Sequence, residues 1–364
     1  MKIPFYDLKN LNKKYQESAI ENLNNILESG VVLRGEILNE FEQKFAQFCG
    51  VREVVGVASG LDAISLVLRS LGIGEGDEVI VPSFTFIATW MAVTHCGATP
   101  VPVDVTDSGL LDPSKIEEKI TDNTKAIIPV HLYGQLCDLD EICKIAKAYD
   151  LFVVDDAAQA HGAGQTGSIG SRTIASAYSF YPSKNLGALG DGGAVSSNDI
   201  KLISKIRKLA NYGSDVKYIH DEVGFNSRLE EFHAGVLSSK LDNLSDDNEL
   251  RRKIAIRYLT KIKNPLIECI TSETTESVFH LFVIRTKHRN QLKDYLADLG
   301  VETLIHYPVP PFKSKAYSKD YLMNSDFPIA ERLSNEVLSL PLWPEMQIEE
   351  QDYVIECVNK FICK

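Results

Sequence analysis

The sequence predicts an α/β protein with a large, mostly parallel β-sheet covered by helices on both faces, followed by a smaller α+β domain. Short apolar segments alternate with helix-patterned segments from residue 54 to residue 196, which is the pattern of parallel strands with crossover helices. The 364 residues suffice for two domains, and 44% of them are hydrophobic, as in ordinary globular proteins. We place the larger domain, with an N-terminal arm, at residues 1–255 and the smaller one at residues 256–364.

Two helices are predicted before the first strand. Residues 9–29 have helical spacing and stop at Ser29-Gly30, a pair typical of helix ends. The second helix ends near Gly50 and is predicted from apolar residues at helical spacing, namely Leu38, Phe41, Phe45 and Phe48.

The alternating region supplies the large sheet. Strands are predicted at residues 54–57, 78–82, 99–104, 124–130, 151–155, 176–180 and 193–196. Helices are predicted between them at residues 62–71, 87–95, 113–119 and 139–148. Residues 200–260 have a helix-rich pattern. The smaller domain then follows, with strands at 279–285 and 303–306 and helices at 289–299, 333–338 and 349–361.

Composition and missing motifs argue against several classes of protein. A net charge of −12 and a pI of about 5.2 disfavour binding to nucleic acids or anionic membranes. No apolar run is long enough to span a bilayer, and the first residues lack the apolar core of a signal peptide. Seven scattered cysteines without a CxxC pair indicate reduced thiols and a cytoplasmic location. No metal-ligand spacing and no nucleotide-binding glycine motif occurs, so neither a metal nor those cofactors are expected.

Two short segments carry the chemistry. Residues 153–162 (VVDDAAQAHG) are an apolar strand ending in carboxylates, and residues 179–193 (SFYPSKNLGALGDGG) place Lys184 in a loop of small residues. A lysine amine can hold pyridoxal 5'-phosphate (PLP) as a Schiff base, and a carboxylate can keep its pyridine nitrogen protonated. Alone, Lys184 would be interpreted as a surface charge, and Asp155 and Asp156 as residues that merely end a strand or cap the next helix. Together they predict a PLP enzyme with Lys184 and Asp156 as its catalytic residues.

Neighbouring residues are candidates for the rest of the cofactor. The turn Ser59-Gly60-Leu61 follows a strand and opens a helix, where free backbone N–H groups suit a phosphate, although Ser-Gly is also a common turn. Ser179 would add a hydroxyl to the same phosphate. Gln159, about one helical turn after Asp156, is a candidate for the ring or its phenolic oxygen. Phe86 is a candidate for stacking on the ring, with a core position as the alternative.

With these motifs the chain resembles the DegT/DnrJ/StrS family of sugar aminotransferases, which are fold type I PLP enzymes with the aspartate-aminotransferase fold. The likeness runs nearly end to end. Beyond the segments above, it rests on Arg34-Gly35-Glu36, Gly224-Phe225-Asn226-Ser227-Arg228-Leu229, His280-Leu281-Phe282-Val283, His306-Tyr307-Pro308 and Ser339-Leu340-Pro341.

The resemblance implies a role for each candidate residue. Lys184 looks like the Schiff-base lysine, Asp156 the pyridinium partner, Gln159 the contact to the cofactor oxygen and Phe86 the stacking ring. The phosphate contacts would be Ser59, Gly60, Leu61 and Ser179 of one subunit and Asn226 of its neighbour, which implies a homodimer with shared active sites. The residues implied on the sugar-nucleotide side are Arg34, Tyr181, Arg228 and His306.

Within the family, the lysine loop is similar to the branch that aminates C-3 of a dTDP-3-keto-6-deoxyhexose. Branches that act at C-4 more often have His in the place of Tyr181, and relatives that dehydrate the sugar have His in the place of Lys184. The implied reaction uses L-glutamate and gives a dTDP-3-amino-3,6-dideoxyhexose, galacto or gluco, for surface glycans. Two positions depart from the family pattern: Phe312 stands where many members have His, and Ser59 stands in a turn often written Asn-Gly-Thr.

Two alternatives remain open at this point. The first keeps PLP chemistry but aminates C-4 of a keto-sugar or a cyclitol ketone. The second is a PLP-fold protein that binds a sugar nucleotide or a partner without turnover, against which the intact Lys184 and Asp156 argue.

Overall fold

The computed structural model describes residues 1–164, 167, 169–270, 276–317 and 326–363. Its larger sheet contains the strands β1 (Glu53–Val57), β2 (Glu78–Pro82), β3 (Thr99–Val103), β4 (Thr124–Ile127), β5 (Phe152–Asp156), β6 (Ala175–Ser179) and β7 (Gly193–Ser197). They lie in the order β1-β7-β6-β5-β4-β2-β3, and β7 is the one strand of this sheet that runs in the direction opposite to the other six. The predicted mixed, mostly parallel sheet is therefore confirmed.

The smaller sheet is antiparallel and lies later in the chain. Its strands are β8 (Glu268–Cys269), β9 (Phe282–Arg285) and β10 (Val337–Leu340), in the order β10-β9-β8.

The helices, in chain order, have the following bounds: α1 (Leu8–Lys13), α2 (Gln16–Ser29), α3 (Glu36–Cys49), α4 (Gly60–Ser70), α5 (Ala88–His95), α6 (Leu139–Ala148), α7 (Ile200–Leu209), α8 (Glu231–Leu241), α9 (Leu244–Lys261), α10 (Arg289–Asp298), α11 (Pro328–Glu336) and α12 (Ile348–Lys360). None of the described helices is long and apolar enough to cross a membrane. The predicted stops after α2 and α3 are confirmed, because Gly30 and Gly50 cap these helices in the left-handed conformation, with φ of +69° and +68°.

Alternating side chains of the larger sheet are buried under the helices that cover its two faces. In β2, Val79 and Val81 join the core formed with α4, α5 and α7, whereas Ile80 joins the core under α6. In β7, Val195 faces the first core and Ala194 the core under α3 and α8. A separate core lies around the smaller sheet and includes Ile3 from the beginning of the chain. This layering leaves the carboxyl ends of the parallel strands as the open edge.

Several predicted elements were wrong in detail. Residues 9–29 form two helices, because the chain breaks at Lys14 and Tyr15 and buries the Tyr15 side chain. Residues 113–119 form two short 3-10 turns.

Residues 303–306 are not a strand, since only Leu304 pairs, with Ser339. The predicted helix at 333–338 ends at Glu336, because Val337 already pairs with β9. The predicted strand at 279–285 starts later, since Phe279 has a φ of +40°.

Candidate active site

Most of the predicted site residues line one cavity of about 550 Å³ at the carboxyl ends of β1, β5 and β6. These are Ser59, Gly60, Leu61, Phe86, Asp156, Gln159, Ser179, Tyr181, Lys184 and His306. The ends of the parallel strands and the loops near them bring these residues together, although they are spread over some 250 positions of the sequence (59 to 306). The cavity is thus the place where the two predicted catalytic residues meet.

Asp156, the last residue of β5, is a buried carboxylate held at both oxygens. Its Oδ2 accepts a hydrogen bond of 2.8 Å from the Thr89 hydroxyl, and its Oδ1 accepts one of 3.2 Å from the Ala158 amide. Burial raises the pKa of Asp156, while Thr89, Ala158 and the nearby Lys184 oppose that rise. A desolvated carboxylate in this position favours a cationic partner in the cavity, such as a protonated ring nitrogen.

Lys184 lies in the loop between β6 and β7, and this loop is held in place on both sides. The Lys240 ammonium group donates a hydrogen bond of 2.8 Å to the Gly187 carbonyl. Asn185 donates to the Asn248 side chain at 2.8 Å. Burial lowers the pKa of Lys184 to about 8, although Asp156 opposes this. A larger fraction of this amine is therefore neutral, and hence nucleophilic, near neutral pH than for an ordinary lysine.

The start of α4 forms the opposite end of the cavity. Ser59 caps this helix by accepting a hydrogen bond of 3.1 Å from the Asp62 amide. Gly60 has no room for a side chain, because a Cβ there would lie 2.7 Å from the Ser179 Cβ. Free amides at a helix start, close to the Ser179 hydroxyl, suit the phosphate of a cofactor.

Gln159 is fixed by a hydrogen-bond network that the sequence did not reveal. Its Oε1 accepts a hydrogen bond of 2.6 Å from the Tyr133 amide, so the Nε2 group must donate, and it does so to the Tyr307 hydroxyl at 3.1 Å. The Tyr133 hydroxyl donates to the His306 carbonyl. Burial raises the pKa of Tyr307, so its hydroxyl stays protonated at neutral pH.

Phe86 offers an aromatic face to the cavity. The residue lines the cavity and is 54% exposed, and its ring centroid lies 5.5 Å from that of Tyr307. An aromatic ring left open in this way suits a flat ligand stacked against it. With the desolvated Asp156, the amine of Lys184 and the start of α4, the cavity has a partner for each functional part of PLP, and the residues present fit that cofactor.

Three predicted site residues do not line this cavity in their own chain. Asn226 is exposed and bridges to Asn211, and Arg34 is exposed before α3. Arg228 donates a hydrogen bond of 3.4 Å to the Asn211 side chain and lies over the Tyr212 ring.

The cavity also contains residues that sequence reasoning missed, notably Thr89, His280 and Tyr307. The Thr89 hydroxyl lies 3.2 Å from that of Thr85, which precedes the helix, so helical spacing gave no signal for this pair. Tyr307 directly follows the predicted His306. His280 had no local signal other than its place in a family motif, because its contacts come from distant parts of the chain.

The comparisons with known proteins agree with this geometry. The model of the DegT/DnrJ/EryC1/StrS aminotransferase family matches residues 13–359. The dTDP-3-amino-3,6-dideoxy-alpha-D-galactopyranose transaminase of Aneurinibacillus thermoaerophilus is 50% identical over 99% of both chains. The dTDP-3-amino-3,4,6-trideoxy-alpha-D-glucose transaminase of Streptomyces venezuelae is 44% identical over 99% of this chain and 96% of the relative. The crystal structure of S. venezuelae DesV in complex with a ketimine intermediate has a TM-score of 0.94 at 43% identity, covering 99% of this chain and 98% of DesV.

A second solved structure adds the form of the cofactor. NtdA from Bacillus subtilis, solved with bound cofactor PMP, has a TM-score of 0.92 at 32% identity and covers 98% of this chain and 84% of NtdA.

Proposed function

The chain belongs to the DegT/DnrJ/EryC1/StrS aminotransferase family, and on that premise we propose that it aminates C-3 of a dTDP-linked 3-keto-6-deoxyhexose with L-glutamate as donor. The product is a dTDP-3-amino-3,6-dideoxyhexose of galacto or gluco configuration, for a surface glycan. The observation that carries this proposal is the meeting of Lys184 and Asp156 in one cavity. The relative with 50% identity, a dTDP-3-amino-3,6-dideoxygalactose transaminase, supports the choice of sugar and carbon.

The enzyme depends on PLP. When bound, the cofactor accepts the electron pair left on a carbon atom whose proton is removed. In our proposal, Lys184 holds the cofactor until an amino group displaces its Nζ. The released Nζ then removes the proton from the Cα of glutamate and later delivers one to C-3 of the sugar. Asp156 keeps a negative charge against the ring nitrogen throughout.

The remaining residues orient the two ligands. We assign the phosphate to Gly60, Leu61 and the hydroxyls of Ser59 and Ser179, and the ring face to Phe86. Gln159 keeps its N–H group directed at Tyr307, because the Tyr133 amide occupies its carbonyl side, and we assign this N–H group to the phenolic oxygen of the cofactor, which it would hold when the cofactor is bound.

On the substrate side we assign Tyr181 and His306, which line the same cavity as Lys184. Burial lowers the pKa of His306 to about 4, so it would act as a neutral hydrogen-bonding group rather than as a cation.

We further propose a homodimer in which each subunit completes the other's site with Asn226, Arg34 and Arg228. Supporting this, α2 exposes Ile20, Leu23 and Leu27 along one face, and Leu27 is 69% exposed. Leu189, from the loop that carries Lys184, lies in the same groove as Ile20 and Leu23. An apolar helix face next to the catalytic loop suits a two-fold contact between copies of this chain.

Complementation between two inactive variants tests the shared site. Lys184→Ala and Asn226→Ala subunits are co-expressed, so that each mixed dimer has one site with both defects and one with neither. If sites are shared, a random mixture recovers about a quarter of wild-type activity, since half of the dimers are mixed and each has one intact site. If the mixture is no more active than its parents, Asn226 does not act across the interface.

We also place the reaction in the cytoplasm. The scattered cysteines without a CxxC pair support this proposal.

The first experiment follows the visible absorption of the PLP-loaded protein while L-glutamate is added. Loss of the visible band, with conversion of the cofactor to its pyridoxamine form, is the expected result. The pyridoxamine form is then given a dTDP-3-keto-6-deoxyhexose, and NMR of the product locates the new amino group. An amino group at C-4 would replace the C-3 proposal, and a visible band that glutamate leaves unchanged would exclude glutamate as donor.

A further inference from the structure

His280 lies where the catalytic cavity meets a second cavity of about 380 Å³. The residues that line both are Tyr181, Ser183, His280 and His306. The rest of the second cavity is mostly apolar and is lined by Phe5, Tyr6, Leu8, Leu281, Leu304, Leu340 and Leu342. A ligand group that passes His280 therefore enters a space with few hydrogen-bond partners.

The hydrogen bonds of Asn185, the residue after Lys184, determine the tautomer of His280. The Asn185 Nδ2 donates to the Val278 carbonyl at 3.0 Å and to the Asn248 side-chain oxygen at 2.8 Å. Because a carbonyl oxygen can only accept, the Asn185 amide can have only this orientation. Its Oδ1 then faces the His280 Nδ1 at 3.1 Å, and Nδ1 must carry the proton.

The other ring nitrogen of His280, Nε2, is consequently a hydrogen-bond acceptor. Burial lowers the pKa of His280 well below its usual value, and the nearby Lys184 and Arg251 lower it further, so the ring is neutral. Within the described part of the chain, Nε2 has no hydrogen-bond partner. A neutral acceptor at the mouth of an apolar cavity, next to Lys184, suits a donor group on the substrate.

The charges around His280 favour a hydroxyl over an ammonium donor. The Arg251 guanidinium lies 3.5 Å from the His280 carbonyl oxygen, and Lys184 lines the same cavity as the ring. A further cation in this position would meet repulsion from both, whereas a neutral hydroxyl would not.

On the basis of the proposed function, we propose that His280 selects the acceptor sugar by accepting a hydrogen bond from its C-4 hydroxyl at Nε2, while the apolar cavity takes the C-6 methyl group. C-4 is adjacent both to C-3, where the amino group is added, and to C-5, which bears the methyl group. C-2 is the other carbon next to C-3, but it is not adjacent to C-5. One hydroxyl and one methyl group on adjacent carbons therefore match one acceptor atom beside one apolar cavity.

The test compares two acceptors, a dTDP-3-keto-6-deoxyhexose and its 4-deoxy analogue, with wild type, His280→Phe and His280→Gln. Phe keeps a planar ring but has no acceptor, whereas Gln keeps one N–H group for Asn185 and one oxygen for the substrate. We expect wild type to prefer the hydroxylated sugar by about tenfold in kcat/KM, His280→Phe to lose that preference, and His280→Gln to keep most of it.

A purely structural role would change both acceptors by the same factor and leave the preference intact, which would overturn the inference. Binding of the two product-like dTDP-6-deoxyhexoses, with and without the C-4 hydroxyl, provides a readout that needs no turnover. Equal affinities of wild type for the two sugars would also overturn it. A different outcome would contradict the proposed function itself: wild type supplied with glutamate would aminate neither acceptor.

Discussion

The two ends of the catalytic cavity are built from different parts of the chain. The cofactor end comes from strand ends of a single sheet, with Asp156 closing β5, Ser179 closing β6 and Gly60 following β1. The substrate end comes from segments around the smaller sheet, where His280 precedes β9 and His306 lies near β10. The comparison teaches that local sequence motifs form the end to which we assign the cofactor, whereas contacts between distant parts of the chain form the end to which we assign the substrate.

Loss of the Lys184 amine should have the largest effect and should affect both half-reactions. Lys184→Ala removes the nucleophile and the base together, so turnover should fall by at least about 10⁴-fold. Lys184→Arg is the matched control, because it keeps the positive charge but cannot supply a neutral amine. Measurable amino transfer from glutamate by either variant, in a single-turnover absorbance assay, would contradict the role of this residue.

Removal of the charge on Asp156 should come next and should again affect both half-reactions. Asp156→Asn keeps an oxygen for the Thr89 hydroxyl but lacks the negative charge, and we expect a fall of about 10²- to 10³-fold in kcat. Asp155→Asn is the matched control. The Asp155 carboxylate accepts hydrogen bonds of 2.6 Å from Thr173 and 2.8 Å from Ser176 and does not line the cavity.

The stability of the cofactor-free protein gives a second readout for Asp156. Burial raises its pKa, so at pH 7 the carboxylate is charged in both states but is less well solvated in the folded state than in the unfolded chain, which destabilises the fold. Asp156→Asn should therefore raise the melting temperature of the cofactor-free protein at pH 7 while lowering its activity. A fall in melting temperature would show that the carboxylate stabilises the fold.

The sequence predicted the cofactor end better than the substrate end for a physical reason. Alternating apolar strands fix which residues reach the carboxyl edge of a sheet, so Asp156 and Gly60 could be placed from the pattern alone. His280 and Tyr307 reach the cavity through loops whose paths depend on packing between sheets. Local patterns also failed at residues 303–306 and 337–338, where pairing with the smaller sheet decided the structure.

The low pKa of Lys184 predicts how the cofactor-free protein takes up PLP. The neutral amine is the reactive form, so a pKa of about 8 makes the rate of cofactor uptake rise about tenfold from pH 7 to pH 9 and then level off. An unshifted lysine would give about a hundredfold rise over the same interval. The reaction of the same PLP solution with Nα-acetyl-lysine, whose side-chain amine is free and unshifted, is the control for titration of the cofactor itself. A rise that continues past pH 9 would mean that burial does not shift this amine.

Substitution of Thr89 should have the smallest effect on kcat. It tests whether the cofactor end depends on residues outside the two sequence motifs. Its hydroxyl donates to Asp156 at 2.8 Å, while the Ala158 amide continues to hold the other carboxylate oxygen. Thr89→Val removes only the donor and keeps the shape, so we expect about a fivefold fall in kcat and weaker PLP binding, and Thr89→Ser should restore both. Equal losses in Val and Ser variants would point instead to packing by the Thr89 methyl group. The Thr85 hydroxyl lies 3.2 Å from the Thr89 hydroxyl. Thr85→Val should therefore weaken the hydrogen bond from Thr89 to Asp156, by a smaller factor than Thr89→Val.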